Sequence, residues 1–272
     1  MIVTSSANPQ VKAIRKLRDR KERTESGTFY LEGLRIVGEA FDMGADIRTV
    51  ITAPDLLTSD YGLGLLERAQ RSQIPVLEVS AEVFSGLAAK DNPQGLAAVV
   101  GQHFMPLEQV LPEDGRLWVA LDSVADPGNL GTIMRTLDSV GGKGIILLDQ
   151  STDPYDPTAV RASMGALFSL SLVRTTLSRF AEWKKQTGVY LVGTSGAATD
   201  DYHRYVYPNN FVLLMGSERQ GLSEVHIRLC DGMVSIPMVG RSDSLNLAVS
   251  TAVVLYEVFN QRRDLTAHME VK

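Results

Sequence analysis

Three segments of the chain hold residue types that could do chemistry, and each follows a short apolar run. The first reads Asp122-Ser123-Val124-Ala125-Asp126-Pro127-Gly128-Asn129-Leu130-Gly131-Thr132-Ile133-Met134-Arg135. Proline fixes φ and Gly or Asn tolerates a left-handed backbone, so Asp-Pro-Gly-Asn predicts a turn, with Asn129 available to cap the next helix. Arg135 lies under two helical turns beyond Asn129. The helix would bury Ile133 and Leu137, so Arg135 needs a partner or a path to solvent. The second segment runs from Phe211 to Met215 and then Gly216-Ser217-Glu218-Arg219-Gln220-Gly221. Gly216 would let a ligand approach the backbone closely. It is neither a phosphate-binding Walker loop nor a Gly-x-Gly-x-x-Gly dinucleotide turn. The third, Ile236-Pro237-Met238-Val239-Gly240-Arg241-Ser242-Asp243-Ser244-Leu245-Asn246, joins a strand end to a long final helix, with Asp243 or Ser244 as its expected N-cap.

The elements that must position these segments are short apolar strands separated by helices. Strands are expected at 117–122, 144–148, 170–173, 189–193, 211–215 and 233–236, and a last helix at 245–262. Apolar strands alternating with helices predict a mainly parallel sheet buried on both faces, with ligands at the carboxyl edge. Upstream, a helix over Val11 to about Arg23, strands at 28–33, 47–52, 75–79 and 94–100, and helices through Ala40, at 63–73 and at 81–88 predict a smaller α/β domain. The polar stretch 106–115 reads as the linker. The expected division is therefore 1–105, 106–115 and 116–272.

Composition narrows the setting. No apolar run approaches the ~20 residues needed to span a bilayer, and the N-terminus lacks the pattern of a signal peptide. The single cysteine, Cys230, forbids an intrachain disulfide and a Cys-based zinc cluster. Together these predict a cytoplasmic protein. His103, His203, His226 and His268 show no metal-ligand spacing, so they are expected to be surface or core residues and no metal is expected. Residues 10–23 carry seven basic residues against Asp19 and Glu22, an excess of five positive charges on a chain whose net charge is −5. This predicts a basic patch on an acidic molecule, suited either to phosphate or to plain solvation.

Taken together, Asp-x-x-x-Asp-Pro-x-Asn-x-Gly…Arg, Gly-x-Glu-x-x-Gly-Leu and Ile-Pro-Met-x-Gly…Ser-Leu-Asn resemble, in order and spacing, the SpoU (TrmH) group of RNA ribose methyltransferases in the SPOUT superfamily. The resemblance covers 116–272 and includes Pro157 and Val160-Arg161-Ala162-Ser163-Met164-Gly165-Ala166. Asn8-Pro9…Lys12, Glu32-Gly33 and Asn92-Pro93-Gln94-Gly95 are similar to the L30e-like substrate-binding domain of many such enzymes. Leu247-Ala248 and Thr132 depart from the group's common residues without removing a functional group.

The resemblance implies a deep trefoil knot, a homodimer whose two subunits build the site, and S-adenosylmethionine as cofactor. It places cofactor contacts on Thr194, Gly196, Gly216, Ile236, Met238 and Leu245, and the chemistry on Arg135 with Asn129, Glu218, Ser244 and Asn246. The reaction implied is attack of a ribose 2′-oxygen on the sulfonium methyl. Arginine is a poor literal base. Arg135 is therefore expected to anchor a phosphate and stabilise the developing alkoxide, in its own or the partner's site. The 2′-hydroxyl marks RNA as substrate, and Lys12, Arg15, Lys16 and Arg18 become expected RNA contacts. Large-subunit ribosomal RNA is the expected target. The alternatives are tRNA, methylation of a base, or an RNA-binding assembly factor without catalysis.

Overall fold

A computed structural model describes residues 2–88, 92–110 and 115–269, so positions 111–114 of the expected linker lie outside the described residues, as does the His268 side chain. The chain divides into two compact units, Met1–His103 with Tyr155–Phe168, and Phe104–Pro154 with Ser169–Lys272. Segment 155–168 thus packs with the first unit, which corrects the contiguous boundary expected from sequence.

In the first unit, β1 (Thr28–Glu32), β2 (Ile47–Thr52), β3 (Val76–Glu78) and β4 (Leu96–Gly101) form one sheet in the order β1-β4-β2-β3. β4 runs antiparallel to both β1 and β2, whereas β2 and β3 are parallel. The helices α3 (Leu34–Asp42), α4 (Asp60–Arg71) and α5 (Ala81–Leu87) alternate with the strands. Ser59 and Ser80 cap α4 and α5 by accepting from Gly62 N and Val83 N.

The single helix expected over 11–23 is two helices, α1 (Pro9–Lys16) and α2 (Arg20–Ser26). Asn8 caps α1, accepting from Gln10 N and Val11 N, with Pro9 in the first turn. The break follows from Arg23, only 1% exposed, whose guanidinium donates to the carbonyls of Leu17 (3.0 Å) and Arg18 (2.7 Å). Those carbonyls end α1, and Asp19 turns extended before α2 begins.

The second unit holds a seven-stranded sheet of β5 (Trp118–Asp122), β6 (Gly144–Leu148), β7 (Ser171–Thr175), β8 (Tyr190–Thr194), β9 (Asp200–Asp201), β10 (Phe211–Met215) and β11 (Gly232–Ser235). Their order is β7-β6-β5-β10-β8-β11-β9, and every pairing is parallel. β5, β6 and β10 are buried along their whole length, as strands covered on both faces must be. Trp118, Ile146, Val173, Leu191, Val212 and Leu214 pack with Phe180 and Trp183 of α8 (Leu177–Thr187) into one core. The chain runs outward through β5, β6 and β7, then returns so that β10 lies between β5 and β8. That reversal opens a crevice at the strands' carboxyl ends. α6 (Pro127–Ser139), α9 (Glu224–Leu229) and α10 (Leu247–Met269) begin there, just after β5, β10 and β11. α6 and α10 pack against each other. α10 runs seven residues past the expected end at Arg262 and starts two residues later than expected.

Candidate active site

The loops leaving β8, β10 and β11 enclose a cavity of about 330 Å³, a size in the range of small-molecule sites. All six expected cofactor contacts line it: Thr194 at the end of β8 and Gly196 after it, Gly216 after β10, and Ile236, Met238 and Leu245 between β11 and α10. Of the expected chemical residues, Glu218 and Ser244 also line it. Asn129 and Asn246 stand behind Glu218, whereas Arg135 lies elsewhere on α6.

The loop after β10 folds back on itself. Gly221 N donates to Ser217 O at 3.0 Å, and Gly221 takes a left-handed φ of 65°. A Cβ on Gly216 would fall onto the backbone of Gly221 and Leu222. The missing side chain of Gly216 therefore makes room for the loop itself, and the residue also lines the cavity. Gly196 is the open position, with nothing within 4 Å of where a Cβ would stand.

Glu218 ties this loop to the start of α6. Its carboxylate accepts from Ala125 N (3.1 and 3.3 Å), Asp126 N (3.2 Å) and Asn129 Nδ2 (3.3 Å). Asp126, not Asn129, is the N-cap of α6. It accepts from Asn129 N at 2.7 Å and precedes Pro127 in the first turn. Asn246 Nδ2 donates to Asn129 Oδ1 at 3.0 Å, and Asn246 Oδ1 accepts from Ala248 N (2.9 Å) and Val249 N (3.3 Å). Asn246 therefore caps α10, where Asp243 or Ser244 was expected. Both amide orientations are fixed by the ends of the relay, because a carboxylate only accepts and helix N–H groups only donate. Glu218, Asn129 and Asn246 thus lock three loops and two helix starts together. Burial alone would raise the Glu218 carboxyl. Hydrogen bonds from its own N–H, from Ala125 and Asp126, and from Asn129 outweigh burial and hold the group below its ordinary value of 4.5.

Arg135 is exposed, while Ile133 and Leu137 are buried, so it takes the solvent path. Its guanidinium makes no hydrogen bond or ion pair among the described residues, while its carbonyl accepts from Ser139 Oγ at 2.8 Å.

Sequence reasoning missed several features. Arg219, quoted in its motif without a role, and Asp243, expected only as an N-cap, both line the cavity. Ser123 takes a left-handed φ of 49° at the end of β5, which no residue type announced. Asp126 could have been recognised from an acidic residue directly before a first-turn proline. His226 is the core histidine expected, with Nδ1 2.7 Å from Ser223 Oγ and Nε2 3.5 Å from Asp122 Oδ2. No cluster with metal-ligand character occurs among the described residues.

The basic run divides. Arg18 donates to the carbonyls of Gly86, Leu87 and Ala88 (3.1, 3.0 and 3.4 Å), closing the end of α5. Lys16 lies 3.6 Å from Glu22. Lys12 is exposed and Arg15 half-buried, neither in an ion pair among the described residues.

The chain resembles known proteins along nearly its whole length. Residues 116–256 match the SpoU rRNA Methylase family, and residues 8–98 match the MRM3-like substrate binding domain. A 23S rRNA (uridine(2479)-2′-O)-methyltransferase of Streptomyces viridochromogenes is 33% identical, over 90% of this chain and 87% of that one. The 23S rRNA (guanosine(2553)-2′-O)-methyltransferase RlmP of Bacillus subtilis is 30% identical, over 94% and 98%. The crystal structure of an AdoMet-bound rRNA methyltransferase from Sinorhizobium meliloti superposes with a TM-score of 0.88 at 39% identity, covering 96% of this chain and 98% of the other. A parallel sheet with its cavity at the carboxyl edge, the three motifs around that cavity and these matches agree, and the chain belongs to the SpoU rRNA methylase family.

Proposed function

We propose that the protein is an S-adenosylmethionine-dependent RNA methyltransferase that methylates a ribose 2′-hydroxyl of large-subunit ribosomal RNA. The observation that carries the reading is the cavity, which gathers all six expected cofactor contacts at the carboxyl ends of β8, β10 and β11. Its lining fits the cofactor. Met215, Val234, Ile236, Met238, Leu245 and Leu247 offer an apolar bed for an adenine ring, and the carboxylates of Glu218 and Asp243 suit a sulfonium cation. Two relatives of this chain act on 23S rRNA at different bases, a uridine and a guanosine. Both reactions are 2′-O-methylations, so the ribose and not the base is the shared chemistry.

S-adenosylmethionine supplies the electrophilic methyl group. The remaining work falls to the protein. Glu218 already accepts four hydrogen bonds that stabilise its carboxylate and lower its basicity, which makes it a weak proton acceptor; its part is to position the loop after β10. Asn129 and Asn246 carry that position to α6 and α10. Ser244 faces the cavity. Arg135 carries a permanent charge with a planar donor fork, suited to hold the phosphate beside the reacting ribose and to stabilise the developing alkoxide. The proton then leaves to phosphate or water.

Arg135 does not line the cavity of its own subunit, which favours action in the site of a second copy. α10 supports such a homodimer: Val249 and Tyr256 are 49% and 47% exposed beside a buried face of Leu247, Val254, Leu255 and Val258. The knotted path of the family belongs to the same proposal, as does a cytoplasmic location. No helix among the described residues is long and apolar enough to cross a membrane.

The test is methyl transfer to ribosomal and transfer RNA transcripts, followed by nuclease digestion and mass spectrometry of the nucleosides. A 2′-O-methyl nucleoside from 23S-type RNA is expected. A methylated base, or product from tRNA alone, would overturn the assignment.

A further inference from the structure

The first unit has a pocket of its own, built from both family-matched stretches of sequence. One wall is the end of β1 and the start of α3, with Glu32, Gly33, Leu34, Arg35 and Ile36, closed by Gln94 before β4. The other is Arg161 and Met164 on α7 (Pro157–Ser163) and its C-cap. Residues 155–168 lie within the stretch matched to the methylase family, yet they pack with the first unit, where α7 meets β1. An excursion from the methylase sequence therefore completes a pocket of the substrate-binding unit.

The chemistry of the lining is that of an anion site. Gly33 precedes α3 with φ 116° and ψ 147° and gives no side-chain cap, and no acidic residue stands in the first turn. Among the described residues Leu34 N reaches only Gln94 Oε1, at 3.5 Å. The N–H groups of Arg35 and Ile36 have no helical acceptor, so the positive end of α3 stays open. Arg35 and Arg161 are exposed, and neither guanidinium has a hydrogen bond or ion pair among the described residues. Other arginines of this unit are committed: Arg18 to carbonyls, Arg23 to Asp156, Arg48 to Asp46, Arg68 to Asp42 and Arg71 to Glu67. Glu32 is the single carboxylate of the lining and is outnumbered by the two guanidiniums. The adjoining hollow, shared through Glu32, Ile36 and Arg161, is also lined by Tyr30, whose buried hydroxyl lacks a partner among the described residues. Met164 holds a left-handed φ of 53° and is 41% exposed at the rim.

Size selects the ligand. The pocket holds about 100 Å³ and its neighbour about 50 Å³, well below the roughly 300–1,000 Å³ of a site that engulfs a whole small molecule. A single phosphate of a longer chain fits that scale. We infer that Arg35, Arg161 and the start of α3 bind a backbone phosphate of the RNA, making this pocket, rather than α1, the principal RNA grip of the first unit. The inference rests on the ribosomal RNA reading above.

The experiment uses full-length protein and a 23S-type transcript, with Arg35→Gln, Arg161→Gln and the double variant. Both side chains are exposed and without partners among the described residues, so thermal melting should match wild type, which separates binding from folding. Each lost phosphate contact should weaken RNA binding about five- to tenfold and flatten the slope of log K against log salt by roughly 0.7 to 1. In turnover, KM for RNA should rise with kcat and S-adenosylmethionine affinity near wild type. Lys12→Ala with Arg15→Ala should change the slope less. A double variant with unchanged RNA affinity and salt slope, in a protein whose wild type binds and methylates the transcript, would overturn the inference alone. A wild type that neither binds nor methylates the transcript would remove the ribosomal RNA reading, and the inference with it.

Discussion

Asn246 donates its side-chain NH2 to Asn129 while its oxygen caps α10, and two substitutions separate these tasks. The Asn246→Asp variant keeps an acceptor for Ala248 N and Val249 N and adds a negative charge at a helix start, which the helix dipole favours. Its carboxylate cannot donate to Asn129. Asn246→Ala loses both. The alanine variant should lose about 1 kcal/mol of helix-cap stability and melt roughly 2–4 °C lower. The aspartate variant should melt near wild type. Both should lose methyl transfer by about tenfold, because Asn129 is then free to rotate away from Glu218 and the loop after β10 loosens. Calorimetry beside an activity assay checks this. If Asn246→Asp retains full activity, the relay does not position the site.

Arg23 shows the same separation at the scale of an element. Its guanidinium ends α1 at the carbonyls of Leu17 and Arg18 and lies 3.5 Å from Asp156 Oδ2, before α7. Arg23→Ala would leave those carbonyls and a half-buried carboxylate without their cation, at a cost of about 3 kcal/mol. Lys21→Ala, on the same helix but with a side chain 80% exposed, should cost under ~0.5 kcal/mol. Denaturant melts of the two variants test this, and equal midpoints would refute the structural role. Arg23 also marks where sequence stopped being informative. Strands such as β5, β6 and β10 were legible because their apolar runs admit only a doubly covered sheet, and the three loops were legible because Gly, Pro and Asn constrain the backbone. The basic run at 10–23 was not. Charge is a property of composition, whereas whether Arg18 and Arg23 face carbonyls or solvent depends on α5 and α7, which arrive 60 residues or more later in the chain. The caps failed for a related reason. Asp243, Ser244 and Asn246 are all competent acceptors, and the choice of Asn246 was made by Asn129, 117 residues upstream.

For the whole molecule, the proposed dimer decides which subunit's Arg135 serves which cavity. Within one chain Arg135 is exposed and absent from the cavity lining, while α10 presents Val249 and Tyr256 outward. A two-fold dimer that covers this face would bring each Arg135 towards the other subunit, because isologous contacts place every residue of the patch on both sides. Mixing two inactive variants tests the arrangement. Arg135→Ala keeps an intact cavity but lacks the guanidinium. Leu245→Arg fills the cavity but keeps Arg135. If Arg135 works across the dimer, a heterodimer has one complete site, made from the cavity of the first variant and the arginine of the second. With random exchange half of the dimers are mixed and each has one working site of two, so activity should return to about a quarter of wild type. If Arg135 works within its own chain, no combination builds a complete site and the mixture stays inactive. Subunit exchange is followed by differently tagged variants, so silence from a mixture that contains heterodimers would place Arg135 in its own subunit's site and leave the dimer without a part in the chemistry.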